Sequence, residues 1–404
     1  MTLDSKRWFF LVTCMVINVC IGFAYGWSVF QKPLIQQFNA STPDISMVFT
    51  IIMGASAMPM ALAGKIQEYV EPRQVILAGG LLLGAGVMGI GYSATVSGLY
   101  VCGLLAGLGI GVVYPGTVAN MMRFFPERKG LASGLLAAGM GAGAVVLAPL
   151  AAILIQNHGI MDTFKILGFA FLVTVCGLSR LIPTAPENYK PANWNAKQNS
   201  ATQIAGVDKN WSAMLCDPVF YVLAGMFTVG ATAGMMIMGH ASPIAQETLK
   251  ISPQRAAAIV GFLALSNMAG RMFWGWISDK TGRYPVMTVM YLIMGSAMLT
   301  LSKTDTFEIF VTAMGCVAFG YGGFMGMMAS VTADTFGMKY LGVNFGIMFL
   351  TIAIAAFVGP RLAAVMRETQ QGDYSLAFVI AATFCGLGIL LTIVAQRSRR
   401  AMRI

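Results

Sequence analysis

Charge is what this chain has least of. Asp, Glu, Lys and Arg together make up 10% of its 404 residues, where a soluble domain carries about a quarter. Histidine occurs twice, as His158 and His240, and the seven cysteines include no CxxC pair. These shortages exclude a zinc site, an iron–sulfur cluster and a disulfide scaffold. They also exclude a disordered chain, since hydrophobic residues reach 57%. The net charge of +10 is not read as a nucleic-acid footprint in so apolar a chain. No cofactor and no metal are expected.

What is present is a series of apolar stretches with short polar breaks. They run approximately over 8–30, 46–64, 75–93, 98–122, 130–155, 163–183, 217–240, 256–277, 284–302, 307–333, 341–363 and 375–396. Each is long enough to cross a bilayer as a helix, and helices satisfy their own backbone polar groups there. The first stretch follows Lys6 and Arg7 but is too long for a signal peptide and ends in no small-residue cleavage site. The expectation is an all-α integral membrane protein of twelve transmembrane helices.

Twelve spans put both termini on one side. Of the 26 Lys+Arg, eighteen then fall on the side of the termini, seven on the other, and Arg271 inside a span. The positive-inside rule makes both termini cytoplasmic. The longest polar stretch, 184–214, is rich in Asn, Lys, Pro and Gln and has no apolar period. It reads as a cytoplasmic linker joining two six-helix halves, 1–183 and 215–404.

An offset of 211 residues aligns the two halves. It carries Gly64 to Gly275, Glu68 to Asp279, Gly109 to Gly320, Gly111 to Gly322, Phe125 to Phe336 and Pro149 to Pro360. One shift that serves six markers implies an internal duplication. Parallel six-helix repeats are the architecture of major facilitator transporters. The segments Gly64–Glu68 and Gly275–Arg283 end the second and eighth spans. Their glycines permit close helix approach, and their carboxylates can pair with a basic residue or a helix N-terminus on a neighbour, holding the cytoplasmic side shut. Glu68, Arg128, Asp279 and Arg283 are therefore candidates for a cytoplasmic gate.

Arg271 carries the most functional information. It lies eight residues before Asp279, roughly 12 Å along a helix. A charge at that depth costs on the order of 3 kcal/mol on insertion scales. No Asp or Glu lies well inside any span, so a mobile anion is the favoured counter-charge over a fixed structural pair. Asn267, four residues earlier, shares the face of Arg271, and a guanidinium grips a carboxylate through two donors. One deep cation is neutralised by a monoanion, which favours a monocarboxylate over a dicarboxylate. Tyr25, Tyr114 and Tyr321 offer hydroxyls and aromatic walls, against a packing or interfacial role. Met140, between Gly139 and Gly141, is a further candidate against simple packing. His240 is a proton-coupling candidate, with a surface histidine as the bland alternative.

At these residues the chain resembles the oxalate/formate antiporter and monocarboxylate transporter branch of the major facilitator superfamily. The resembling stretches are Tyr25-Gly-Trp27-Ser, Gly109 to Tyr114, Arg123 to Gly134, Gly270 to Asp279 and Asp334-Thr-Phe-Gly337. The resemblance implies carboxylate binding at Arg271, with Asn267, Tyr114, Tyr321 and the Met140 position around the substrate. Two departures matter. Ile352 stands where oxalate/formate antiporters carry a lysine, and Asn267 stands where animal monocarboxylate transporters carry an aspartate. Bacterial lactate transporters of this branch are more similar in having Asn there.

The expected function is transport of a small monocarboxylate such as lactate or pyruvate across the plasma or inner membrane, by proton symport and alternating access. Its partners are the carboxylate anion, a proton and the lipid bilayer, with no nucleic acid, and the protein is expected to be a monomer. Carboxylate exchange of the oxalate/formate type stays open as an alternative, and a membrane-embedded carboxylate sensor as another. An enzyme is not expected, because no nucleophile–His–carboxylate set lies at bilayer depth.

Overall fold

The computed structural model describes residues 3–186, 189–191, 208–370 and 373–401. Most of the linker expected over 184–214 lies outside the described residues. Among those described, every regular element is a helix. In chain order these are α1 (Leu3–Ile21), a 3-10 segment (Gly22–Gly26), α2 (Ser28–Phe38), α3 (Thr42–Ile66), α4 (Pro72–Ile90), α5 (Val96–Phe124) and α6 (Lys129–Ser179). There follow α7 (Trp211–Leu215), α8 (Pro218–Leu249), α9 (Pro253–Thr281), α10 (Arg283–Leu301), α11 (Phe307–Phe336), α12 (Leu341–Thr369) and α13 (Ser375–Ala401). Eleven of the described helical segments are long and apolar enough to cross a membrane.

The expected spans and these helices differ in two informative places. The fifth and sixth spans form one assigned helix of 51 residues, α6, with a break at Gly159 (φ 76°, ψ 170°). A chain crossing the bilayer once needs about 20 residues, so α6 is long enough to cross twice, turning at a glycine that reaches a φ most residues avoid. The first expected span instead divides into α1, the 3-10 segment and α2. A Cβ on Gly22 would strike the carbonyl of Met140, so the chain tightens where it crosses α6. Pro149 and Pro360 lie inside α6 and α12 without ending them. The non-helical residue of α8 is His240, at φ −122° and ψ 17°.

The chain divides into two compact units. The first comprises Met1–Glu127, Leu136–Asn195 and Met338–Ile347; the second comprises Arg128–Leu135, Ala196–Gly337 and Met348–Ile404. Each unit thus includes the first turns of a helix whose remainder belongs to the other.

Glycines set the closest crossings in both. In the first unit, a Cβ on Gly64 would overlap the backbone of Gly342 and Val343. In the second, a Cβ on Gly275 would overlap the carbonyl of Gly130. Gly64 and Gly275 are equivalent under the 211-residue offset, and Gly342 is within one residue of the equivalent of Gly130. Small residues let helix backbones approach where lipid gives no hydrophobic reason to associate.

Candidate functional site

The second unit holds Arg271, Asn267 and Tyr321. Arg271 and Asn267 are 2% and 4% exposed and lie in the span Arg255–Thr281. Spaced four apart on α9, they meet directly: the Arg271 Nε donates to Asn267 Oδ1 at 3.0 Å. The Asn267 Nδ2 donates to the Ala318 carbonyl on α11 at 3.1 Å. The two contacts fix which end of the amide is which, because a guanidinium needs an acceptor and a carbonyl needs a donor.

Glycines hold α9 against α11 at the same level. A Cβ on Gly322 would strike the Asn267 carbonyl, and one on Gly270 would strike the Phe319 carbonyl. A Cβ on Gly326 would lie 2.5 Å from the Arg271 carbonyl. Tyr321, one turn on from Ala318, is buried, and its ring lies where a Cβ on Gly234 of α8 would be. On α8, His240 is half-buried, and its Nδ1 has no hydrogen-bond partner among the described residues.

The first unit holds Tyr114, Met140 and Tyr25. Tyr114 is buried on α5, and its ring packs on Phe345 at 5.9 Å between centroids. Met140 is buried on α6, between Gly139, which approaches Met15, and Gly143, which approaches Gly22. Tyr25 lies in the 3-10 segment and is 39% exposed.

The gate candidates separate. Asp279 and Arg283 form an ion pair at 2.8 Å. Glu68 pairs instead with Lys65 in its own turn, at 2.6 Å in the first unit. Arg128 is exposed, and the buried cation is its neighbour Lys129, 3% exposed.

The Lys129 Nζ donates to Asp334 Oδ1 at 3.0 Å, and the Arg283 Nε donates to Asp334 Oδ2 at 2.9 Å. Asp279 accepts the backbone N–H groups of Gly130 and Leu131, both at 2.8 Å. Those are among the unsatisfied donors that open α6, where the helix dipole also favours a carboxylate. Arg283 also donates to the Ser278 hydroxyl. The result is a buried cluster of two cations and two carboxylates, all within the second unit.

Sequence reasoning missed Lys129 and Asp334 as members of this cluster. The available signal was weak: both belong to the resembling stretches, and each is a charge one turn or less from the end of an apolar helix.

Comparison with known proteins bears on the family and the fold. The model of the Major Facilitator Superfamily matches residues 13–360 and 228–402. An uncharacterized MFS-type transporter, YhjX, of Escherichia coli (strain K12) is 29% identical over 358 residues, covering 87% of this chain and 86% of that protein. The oxalate:formate antiporter of Oxalobacter formigenes is 28% identical over 384 residues, covering 94% and 88%. Human monocarboxylate transporter 12 is 24% identical over 412 residues, covering 95% and 78%. Among solved structures, the human organic anion transporter MFSD10 superposes with a TM-score of 0.73 at 11% identity, covering 97% of this chain and 100% of that one. FucP in its outward conformation gives 0.69 at 16%, covering 95% and 98%. These two likenesses speak for the fold alone.

Members of this family are membrane transporters and not enzymes. A family match that reaches from residue 13 to residue 402, with relatives of both transporter types along most of their length, makes this chain a member of the major facilitator superfamily, on the branch of the oxalate:formate antiporters and monocarboxylate transporters.

Proposed function

We propose that this protein carries small monocarboxylates such as lactate or pyruvate across the cell membrane by proton symport and alternating access. The reading includes twelve spans, cytoplasmic termini, and halves 1–183 and 215–404 joined by the linker 184–214. The observation that carries it is Arg271: a guanidinium 2% exposed inside a membrane span, its Nε held by Asn267. A cation at that depth is costly and is retained where it has work to do. Arginine suits a carboxylate, which it meets with two parallel donors. Tyr321 in the second unit, and Tyr114, Met140 and Tyr25 in the first, are the further substrate-binding candidates. His240 is the candidate proton carrier, and Glu68, Arg128, Asp279 and Arg283 are the gate candidates.

Exchange of carboxylates is the second reading, favoured by the 28% identity to the Oxalobacter formigenes antiporter over 94% of the chain. Against oxalate as the substrate stands Ile352, 4% exposed, where the family resemblance calls for a second cation. One dianion on one cation leaves a charge uncompensated in a low-dielectric site.

Uptake into proteoliposomes tests both readings. Labelled lactate and pyruvate should enter vesicles that contain no internal substrate, and the outer medium should turn alkaline. Arg271→Ala should abolish uptake while the protein keeps its wild-type melting temperature. Full uptake by folded Arg271→Ala would refute the anion site. Uptake that requires internal carboxylate and moves no protons would establish exchange.

A further inference from the structure

We propose that a groove between α10 and α11 binds the head of phosphatidylethanolamine, with the primary ammonium of the lipid at Glu308. The site is separate from Arg271 and does not depend on which solute is carried.

The groove encloses about 430 Å³ and lies within the second unit. Small-ligand sites hold about 300–1,000 Å³. Both helices are membrane spans. Ser296, Glu308, Ile309 and Thr312 line the groove and are exposed. Tyr321, nine residues beyond Thr312 on α11, is buried. At about 100° per residue, nine residues turn a side chain to the opposite face of a helix. The groove therefore opens on the lipid side of α11, away from the substrate-binding candidates.

Its polar lining offers acceptors. The Ser296 hydroxyl donates to the Ile293 carbonyl at 2.9 Å, and the Thr300 hydroxyl to the Ser296 carbonyl at 3.0 Å. The Thr312 hydroxyl donates to the Glu308 carbonyl at 2.7 Å. A hydroxyl has one hydrogen to give, so these three present lone pairs to a ligand. Glu308 adds a carboxylate that forms no ion pair among the described residues. Below these oxygens the walls are apolar, with Ile293 and Ala297 on α10 and Ile309 and Ala313 on α11.

Three hydroxyl oxygens and a carboxylate above apolar walls fit a cation with several N–H donors and a hydrocarbon continuation. A primary ammonium carries three donors. A quaternary ammonium carries none, and an anion without an ammonium would meet lone pairs and a like charge. Among membrane lipids, phosphatidylethanolamine has the required form. Positive groups for its phosphate lie next to Glu308 in the chain. Lys303 stands in the turn before α11, and the N-cap Thr306 makes no side-chain cap bond, which leaves the opening N–H groups of α11 for an anion.

Native mass spectrometry tests this on the purified full-length protein, delipidated and then titrated with lipids of matched acyl chains. Wild type should retain phosphatidylethanolamine at least about tenfold better than phosphatidylcholine, the scale of one hydrogen bond to a charged group. The N-monomethyl and N,N-dimethyl lipids should fall between them, since each methyl removes one N–H donor. Phosphatidylglycerol, which has no ammonium, should be retained less well than phosphatidylethanolamine. Glu308→Gln keeps the size and removes the charge, and it should bring the ethanolamine-to-choline ratio close to one. Asp305→Asn, in the turn and outside the groove, should keep the wild-type ratio.

Equal retention of the ethanolamine and choline lipids by wild type would overturn the proposal. So would a preference for phosphatidylglycerol, or a wild-type ratio in Glu308→Gln. An equal loss in Asp305→Asn and Glu308→Gln would show that general surface charge, and not the groove, recognises the head, and would overturn it too. The methylation series is read on the wild-type protein, so it decides the matter whether or not a variant folds.

Discussion

Arg283 and Asp334, 51 residues apart in sequence, meet with Nε 2.9 Å from Oδ2, their side chains 3% and 2% exposed. Asp334 holds Lys129 with its other oxygen, and Arg283 holds Asp279 with another nitrogen. Each charge is bound to at least one of opposite sign. Such an arrangement is weak evidence for stability as a whole, because desolvation offsets the attraction. It is strongly sensitive to the loss of one member.

A double-mutant cycle separates the two effects. Asp334→Leu alone leaves Lys129 without its buried counter-charge and should cost about 3–5 kcal/mol in unfolding free energy. Adding Lys129→Met removes the stranded cation and should recover most of that loss. Melting temperatures of the purified variants check it. Additive losses would show that Lys129 and Asp334 are not energetically coupled.

The glycine crossings should tolerate no methyl group. Gly64→Ala places a Cβ against the backbone of Gly342 and Val343, and Gly275→Ala places one against the Gly130 carbonyl. Backbone cannot step aside as a side chain can, so both variants should lower the melting temperature and impair transport. Gly54→Ala is the control, since nothing lies within 4 Å of its Cβ. It should be neutral or slightly stabilising, because alanine favours helix by roughly 1 kcal/mol. An equal loss in all three would remove the steric account.

Replacing Arg271 by lysine keeps the charge and discards the planar fork. The Asn267 oxygen then loses the Nε donor it now accepts. Arg271→Lys should retain measurable carboxylate binding at least tenfold weaker than wild type, a difference of about 1.4 kcal/mol. Isothermal titration with lactate checks this. Wild-type affinity in the lysine variant would mean that charge alone is recognised.

Glu247 near the end of α8 and Arg367 near the end of α12 form a two-point pair, at 2.7 Å and 2.6 Å. The pair joins the last turns of α8, beyond the break at His240, to those of α12. Charge reversal at either residue alone should alter the transport rate. The exchange Glu247→Arg with Arg367→Glu should restore it. Rates measured against salt should show the wild-type pair weakening as ionic strength rises.

The spans were legible because apolar length is a one-dimensional property. That Asn267 and Arg271 share a face was legible because a spacing of four puts two side chains on one side of a helix; Asp279 and Arg283 have the same spacing, but the basic partner of Asp279 was expected on a neighbouring helix. Partners across helices were not legible. Lys129 lies 205 residues from Asp334, and Ala318 acts through a backbone carbonyl, which has no signature in sequence. Choosing between Arg128 and Lys129 also needed the structure. Where a helix begins, one residue turns the side chain by about 100°, and here that turn separates an exposed arginine from a buried lysine. The break in α6 was expected as a loop over several residues, and Gly159 alone makes it.

The four-charge cluster has an electrical consequence. Lys129 and Arg283 contribute two positive charges, and Asp279 and Asp334 two negative ones. One elementary charge moved across the membrane does about 2.3 kcal/mol of work per 100 mV. Four charges that sum to zero and move together do none. A movement that carries the intact cluster as one body is therefore silent to the transmembrane voltage, whereas parting its cations from its carboxylates along the membrane normal would do electrical work.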